Sequence, residues 1–238
     1  RQGGLVADHD DAAGLGHEHP LVRVDRHRVG TLQAGEALGH DGGRGQAVGA
    51  VDVQPDVMAL ADIGEFIKYM PGVVMVQHMP EMFTASFARR LDSLSRLRVK
   101  EAEHGERILP GHAYLAPGHS HLEIRKSGGG YVCELLQTPP YNRHRPAVDV
   151  LFDSAAAQAR GSAVAALLTG MGKDGAQGML EIRQAGGYTV AQNEATCVVY
   201  GMPREAVAIG GAEDILPLGE IAEALLQQAR KRGGGNRV

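Results

Sequence analysis

The sequence contains no tryptophan and only two cysteines, Cys133 and Cys197. Two thiols without Cys-x-x-Cys or Cys/His spacing exclude a disulfide scaffold and a zinc knuckle, and they read as reduced thiols. Also lacking is any run of about 18 apolar residues of the kind a membrane span needs, or a basic stretch followed by an apolar one as in a secretory signal. A cytoplasmic protein without membrane insertion is therefore expected. Basic charge is not in excess: 24 Lys and Arg stand against 28 Asp and Glu, a net charge of -4. No field exists to gather polyanions, so nucleic acid is not an expected partner. Aromatics make up only 4% of the 238 residues, yet 43% are apolar, enough for the core of one large α/β domain, or of one domain plus a segment that does not fold with it.

The absences are unevenly distributed. Residues 1 to 50 have no Ser, Lys, Ile, Asn, Met, Cys or aromatic residue and are crowded with Gly, His, Arg and Asp. Apart from a short helical pattern at 32–38, their apolar residues follow neither the helical nor the strand period. A disordered extension is one reading; GC-rich coding DNA translated in a shifted frame is the other, which the abrupt change of composition favours. Residues 1–70 are accordingly expected to be aberrant or disordered and irregular, and residues 71–232 to form the folded domain.

From Pro71 onward, strand-like and helix-like segments alternate. Val73-Val74-Met75-Val76-Gln77 suits a buried parallel strand, and a helix is expected at 82–94 with Phe83, Phe87 and Leu91 on its buried face. Strands follow at 99–102 and 113–116, then a β-hairpin from 122–126 and 131–136 around Ser127-Gly128-Gly129-Gly130. A helix at 148–159, a buried strand at 163–168, a helix at 176–184 stopped by Gly186-Gly187, a strand at 189–192 and a helix at 218–229 complete the pattern. The expected architecture is a doubly wound, mainly parallel, three-layer Rossmann-like sheet with a β-hairpin.

In such sheets ligands bind beyond the carboxyl ends of the strands. Two loops qualify: Gln77-His78-Met79-Pro80, and Thr169-Gly170-Met171-Gly172-Lys173-Asp174-Gly175. His78 and Asp174 at two strand ends would make the base and the orienting carboxylate of a nucleophilic triad. The bland reading stands beside it: Asp174 caps the helix that begins after it, and His78 is a satisfied polar residue at a strand end. The Gly-Met-Gly turn lacks the Gly-Lys-Ser/Thr ending of a phosphate loop, and no cofactor is expected. His9, His17, His19, His27 and His40 have no periodic scaffold to make them a metal site. His112, His119 and His121 read as surface decoration, and Glu101, Glu103 and Glu106 as a solvated edge.

Five segments carry a resemblance. They are Val76-Gln77-His78-Met79-Pro80; Val99-Lys100-Glu101-Ala102-Glu103-His104-Gly105-Glu106; Asn142-Arg143-His144-Arg145-Pro146-Ala147-Val148-Asp149-Val150-Leu151-Phe152; Leu168-Thr169-Gly170-Met171-Gly172-Lys173-Asp174-Gly175; and Ala191-Gln192-Asn193-Glu194-Ala195-Thr196-Cys197-Val198-Val199-Tyr200-Gly201-Met202-Pro203-Arg204. In order, from about 73 to 226, they resemble the catalytic domain of CheB, the bacterial chemotaxis receptor protein-glutamate methylesterase. The resemblance implies a serine hydrolase that cleaves methyl esters from receptor glutamates and in many members deamidates glutamines. Its partners would be methyl-accepting chemotaxis receptors. His78 matches the family's catalytic histidine and Asp174 its catalytic aspartate. Met171 lies where the family stabilises the tetrahedral intermediate. Arg143 and Arg145 would either contact an acidic receptor helix or form an exposed charged turn.

One feature of the family is not found. Its nucleophile stands in a Gly-Ala-Ser-Thr-Gly-Gly turn after the first strand, whereas this chain has no serine before Ser86. The corresponding stretch, near Val51-Asp52-Val53-Gln54-Pro55, has neither turn glycines nor a hydroxyl, so no nucleophilic serine is identifiable. The first strand, its turn and part of the first helix are expected to be lost or replaced, with impaired activity and exposed neighbouring strand edges. Family members also carry a receiver domain, which residues 53–62 resemble only faintly. The rival expectation is a non-catalytic receptor-binding module.

Overall fold

The computed structural model describes residues 48–52, as backbone, and residues 72–233. The expectations for the remaining N-terminal residues, including the helical pattern at 32–38, the early histidines and the receiver-like stretch, lie outside the described residues.

Seven strands form one sheet: β1 (Val48–Asp52), β2 (Val73–Val76), β3 (Arg98–Glu101), β4 (His112–Leu115), β7 (Ala163–Leu167), β8 (Tyr188–Gln192) and β9 (Asp214–Leu216). Their order is β3-β4-β2-β1-β7-β8-β9, and every pairing within it is parallel. Two further strands, β5 (His121–Ser127) and β6 (Gly130–Leu136), make the antiparallel hairpin. Ser127 pairs with Gly130, which leaves Gly128 and Gly129 as a two-residue turn. Both have positive φ, 53° and 83°, as the turn type that matches strand twist requires.

Among the described residues, five helices cover the sheet: α1 (Glu81–Leu94), α2 (Val148–Gln158), α3 (Ala176–Gln184), α4 (Met202–Ala208) and α5 (Leu218–Gly233). Side chains alternate along each strand, so the two faces bury different sets. Val74, Val76, Ala163, Ala165 and Leu167 join Leu151, Phe152 and Met179 of α2 and α3 in one core. Val73, Met75, Val164 and Ala166 join Leu91 of α1 and Ile221, Leu225 and Leu226 of α5 in the other. Burial on both faces is why β2 and β7 read as unbroken apolar runs.

Three expectations change. Residues 48–52 were expected to be irregular, but their backbone is the central strand, in register with both β2 and β7. The slot is replaced rather than vacated, and the neighbouring edges are paired. Within α1 the buried positions are Thr84, Ala88 and Leu91, while Phe83 is exposed. The helix packs Ala88 and Leu91 against the sheet, with Phe87 only partly buried beside them. α4 and β9 were not expected at all; one is seven residues long with Pro203 as its second residue, and the other is a three-residue edge strand.

Candidate active site

β1 lies at the point where the winding of the sheet reverses, with β2 on one side and β7 on the other. That is where an open parallel sheet leaves a crevice at its carboxyl edge. His78 follows β2 there, and the loop after β7 brings in Asp174. The two meet: His78 Nε2 lies 2.6 Å from Asp174 Oδ2. With the shared hydrogen on Nε2, the neutral ring presents its lone pair at Nδ1, which is the atom able to take a proton.

Asp174 is 2% exposed and His78 16%. Burial alone would push the Asp174 carboxyl up. It is instead held below the usual carboxylate range by four donors: His78, the Val148 N–H, the Asn142 amide and the Asp149 N–H. Val148 N donates to Oδ2 at 2.7 Å, Asp149 N to Oδ1 at 3.2 Å and Asn142 Nδ2 to Oδ1 at 3.1 Å. Asp174 does cap a helix, but that helix is α2, reached across the fold, and not α3 behind it, as the sequence suggested. The partial positive charge of that helix end keeps the carboxylate ionised where it orients the histidine.

Gly175 makes this placement possible. Its φ of 88° lies in the left-handed region, and a Cβ there would stand 2.7 Å from Val148 Cγ1 and 2.8 Å from Leu167 Cδ1. A side chain at 175 would push α2 away from the loop that caps it.

A second imidazole covers the first. His144 stacks on His78 with ring centroids 3.9 Å apart and planes 14° from parallel. Burial lowers the His144 pKa, and charge on His78 lowers it further, against a smaller upward pull from Asp174. A proton taken up by His78 therefore makes protonation of His144 less favourable. Nothing in the sequence singled out His144, although its spacing from Asn142 within one loop was visible.

The other expected site residues are placed as follows. Met171 is 82% exposed in the turn after β7, beside Val199 and Tyr200. That turn is strapped by Gly170 N donating to Val199 O and by Gly201 N and Met202 N donating to Gly170 O. Arg143 is exposed with a φ of 70°, and Arg145 is exposed and donates Nη1 to Thr138 O at 3.1 Å. Neither arginine meets His78 or Asp174. Arg145 braces its own loop, and Arg143 directly follows the bridging Asn142. His121 corrects the surface reading: it is fully buried, with Nδ1 accepting from Ala147 N and Nε2 facing Pro139 O, and it pins the loop that carries Asn142 and His144. Among the described residues, no serine or threonine hydroxyl is hydrogen-bonded to His78. Ser86 points its hydroxyl to Phe83 O on α1, and Thr169 to Val199 O. No described group of His, Cys, Asp and Glu is arranged to hold a metal ion.

Residues 57–225 match the family model described as CheB methylesterase. The chain belongs to the CheB methylesterase family. Its sequence is 64% identical over 170 residues to the protein-glutamate methylesterase/protein-glutamine glutaminase 2 of Pseudomonas aeruginosa, covering 71% of this chain and 49% of that protein. It is 63% identical over 168 residues to the protein-glutamate methylesterase/protein-glutamine glutaminase of Ralstonia nicotianae, covering 71% and 44%. The chain thus spans about half the length of these relatives. The CheB methylesterase catalytic domain of Thermotoga maritima superposes with a TM-score of 0.70 at 38% identity, covering 76% of this chain and 98% of that one. The family match begins at residue 57, inside the segment 1–70 that was set apart, and the strand at 48–52 extends the sheet further upstream.

Proposed function

We propose that this chain is a protein-glutamate methylesterase acting on methylated chemotaxis receptors in the cytoplasm, and that it works with a base but without the family's serine. The reading is carried by the 2.6 Å pair of His78 and Asp174 at the crevice of the sheet. A buried, ionised carboxylate fixing an imidazole is costly to maintain and serves proton transfer. The names of the relatives supply the substrate class.

With no serine before Ser86, the reaction open to the pair is attack by water. His78 Nδ1 takes a proton from water as it adds to the ester carbonyl, and the tetrahedral intermediate collapses as the imidazolium protonates the departing methoxide. The products are glutamate and methanol. The backbone N–H groups of Met171 and Gly172 are the candidates for stabilising the oxyanion. Activity is expected at the residual level of a triad without its nucleophile, roughly 10³- to 10⁴-fold over water. Glutamine deamidation would follow the same course, with ammonia leaving.

Methanol release from methylated receptor, measured for the chain and for His78→Ala, tests this. Slow release that disappears in His78→Ala supports it. No release from either, together with receptor binding, supports the rival reading of a non-catalytic receptor-binding module, which the missing serine favours. Equal release from both refutes a role for His78.

A further inference from the structure

Behind the His78–Asp174 pair lies a second buried carboxylate that ester hydrolysis does not use. Asp149, the second residue of α2, is 2% exposed. Its Oδ1 accepts from Gly178 N in α3 at 2.8 Å, and its Oδ2 accepts from Asn142 Nδ2 at 2.7 Å. The same Asn142 nitrogen donates to Asp174 Oδ1 at 3.1 Å. One side-chain amide thus spends its two hydrogens on two buried carboxylates that would otherwise repel each other. Asn142 does this from a φ of 50°, a conformation that asparagine and glycine adopt and most residues avoid.

The two oxygens of Asp174 are held unequally. Oδ2 receives short bonds from His78 and Val148, 2.6 and 2.7 Å, whereas Oδ1 has only Asn142 and Asp149 N, at 3.1 and 3.2 Å. Without Asn142, Oδ1 would keep one long bond, leaving the carboxylate freer to rotate about its Cβ–Cγ bond against the two bonds at Oδ2. Rotation would take Oδ2 away from Nε2 and release the tautomer that leaves the lone pair at Nδ1. Asp149, in turn, is what holds the Asn142 amide in its bridging orientation, and it is itself tied to α3 through Gly178.

We infer that Asn142 and Asp149 form a clamp on Asp174 that fixes the tautomer of His78, which makes both of them positioning residues for the base. The inference rests on the proposed function only in naming His78 as the base; the clamp is tested without any ester.

The test is nitrogen-15 NMR of the histidine rings in the full chain, reading the tautomer of His78 and the exchange rate of its Nε2 hydrogen. Asn142→Gly is the informative variant, because glycine accepts the positive φ while removing the amide. The parent is expected to show only the Nε2–H form. Asn142→Gly is expected to populate the Nδ1–H form and to speed exchange of the Nε2 hydrogen about tenfold, the loss of one hydrogen bond, while the Gly178 amide stays protected. Asp149→Asn, which keeps an acceptor for Gly178 but turns an NH2 toward Asn142, is expected to give the same change and serves if the glycine variant does not fold. A parent with mixed tautomers, or either folded variant with the parent's tautomer and exchange rate, overturns the inference. Because no turnover is measured, failure of the esterase reading leaves this result standing, and the converse holds too.

Discussion

Asp153 offers a prediction that can be worked through from the structure. It sits on α2 one turn beyond Asp149, partly buried, with Oδ1 enclosed and without a hydrogen-bond partner. Glu181 of α3 lies within hydrogen-bonding reach, Asp149 and Asp174 add negative charge nearby, and Glu123, Arg125 and Glu134 of the hairpin line the cavity on its outer side. Burial, followed by the charge of Glu181 and of Asp149, pushes the Asp153 carboxyl up from 3.8 to about 7. Such a group is protonated in the fold at a pH where the unfolded chain has lost its proton. Its stabilising contribution is complete below about pH 4 and is lost as the pH rises through 7. The ceiling is ~4 kcal/mol for a rise of that size, and solvent reaching the half-buried carboxylate reduces it to about 1–2 kcal/mol. Asp153→Asn keeps the shape, cannot ionise and can donate to Glu181. Urea unfolding at pH 4 and pH 8 should show parent and variant close together at the lower pH and the variant more stable by that amount at the higher. A variant that loses the same stability between pH 4 and pH 8 as the parent would refute the shared-proton contact between α2 and α3.

Three further outcomes follow from the same contacts. Asp174→Asn removes a carboxylate whose pKa is held low, so its destabilisation, about 1–3 kcal/mol above pH 5, should shrink as the pH falls below 4 in parallel unfolding curves, since a lowered pKa contributes stability only where the group is ionised. Gly175→Ala places a methyl group against Val148 and Leu167 at a φ of 88° and should cost about 2–4 kcal/mol in urea unfolding, whereas Gly219→Ala, which has open space around it, should cost nothing measurable. Replacing residues 53–58 by Gly-Ala-Ser-Thr-Gly-Gly sets a serine just past β1 and should raise methanol release from methylated receptor by roughly 10²- to 10³-fold, all of it dependent on His78; a folded graft with no gain would show that the end of β1 does not face the imidazole.

Much of this fold was readable because its strands are buried on both faces. Val73 to Val76 and Ala163 to Leu167 had to be uninterrupted apolar runs, and their ends located His78 and Asp174 by topology alone. β1 escaped because Val48-Gly49-Ala50-Val51-Asp52 is short and lies at the edge of a segment whose composition argues against structure. Its membership of the sheet is decided by ladders with β2 and β7, one of them over a hundred residues away along the chain. Asn142 and Asp149 were legible as part of a motif but not as a pair. Their contact joins a loop residue at positive φ to a helix N-terminus, and no periodicity encodes that. His121 was misread for a related reason: its partners, Ala147 N and Pro139 O, are backbone atoms that become neighbours only when the loop folds over the hairpin.

The central strand separates what the fold asks of a sequence from what the reaction asks. The slot between β2 and β7 needs a parallel ladder, four or five residues of backbone in register, and Val48–Asp52 provides it. A ladder is made by N–H and C=O groups that nearly every residue carries, so stretches of very different composition can complete the sheet. The step beyond the strand asks for one oxygen atom at one place, and the sequence after Asp52, Val53-Gln54-Pro55-Asp56, carries no hydroxyl. Hence the sheet, the helix-capped Asp174 and the stacked imidazoles do not depend on which side chains follow Asp52. The same separation is why family membership and catalytic rate are measured apart: the first is written over some 170 residues, and the graft at 53–58 tests the second.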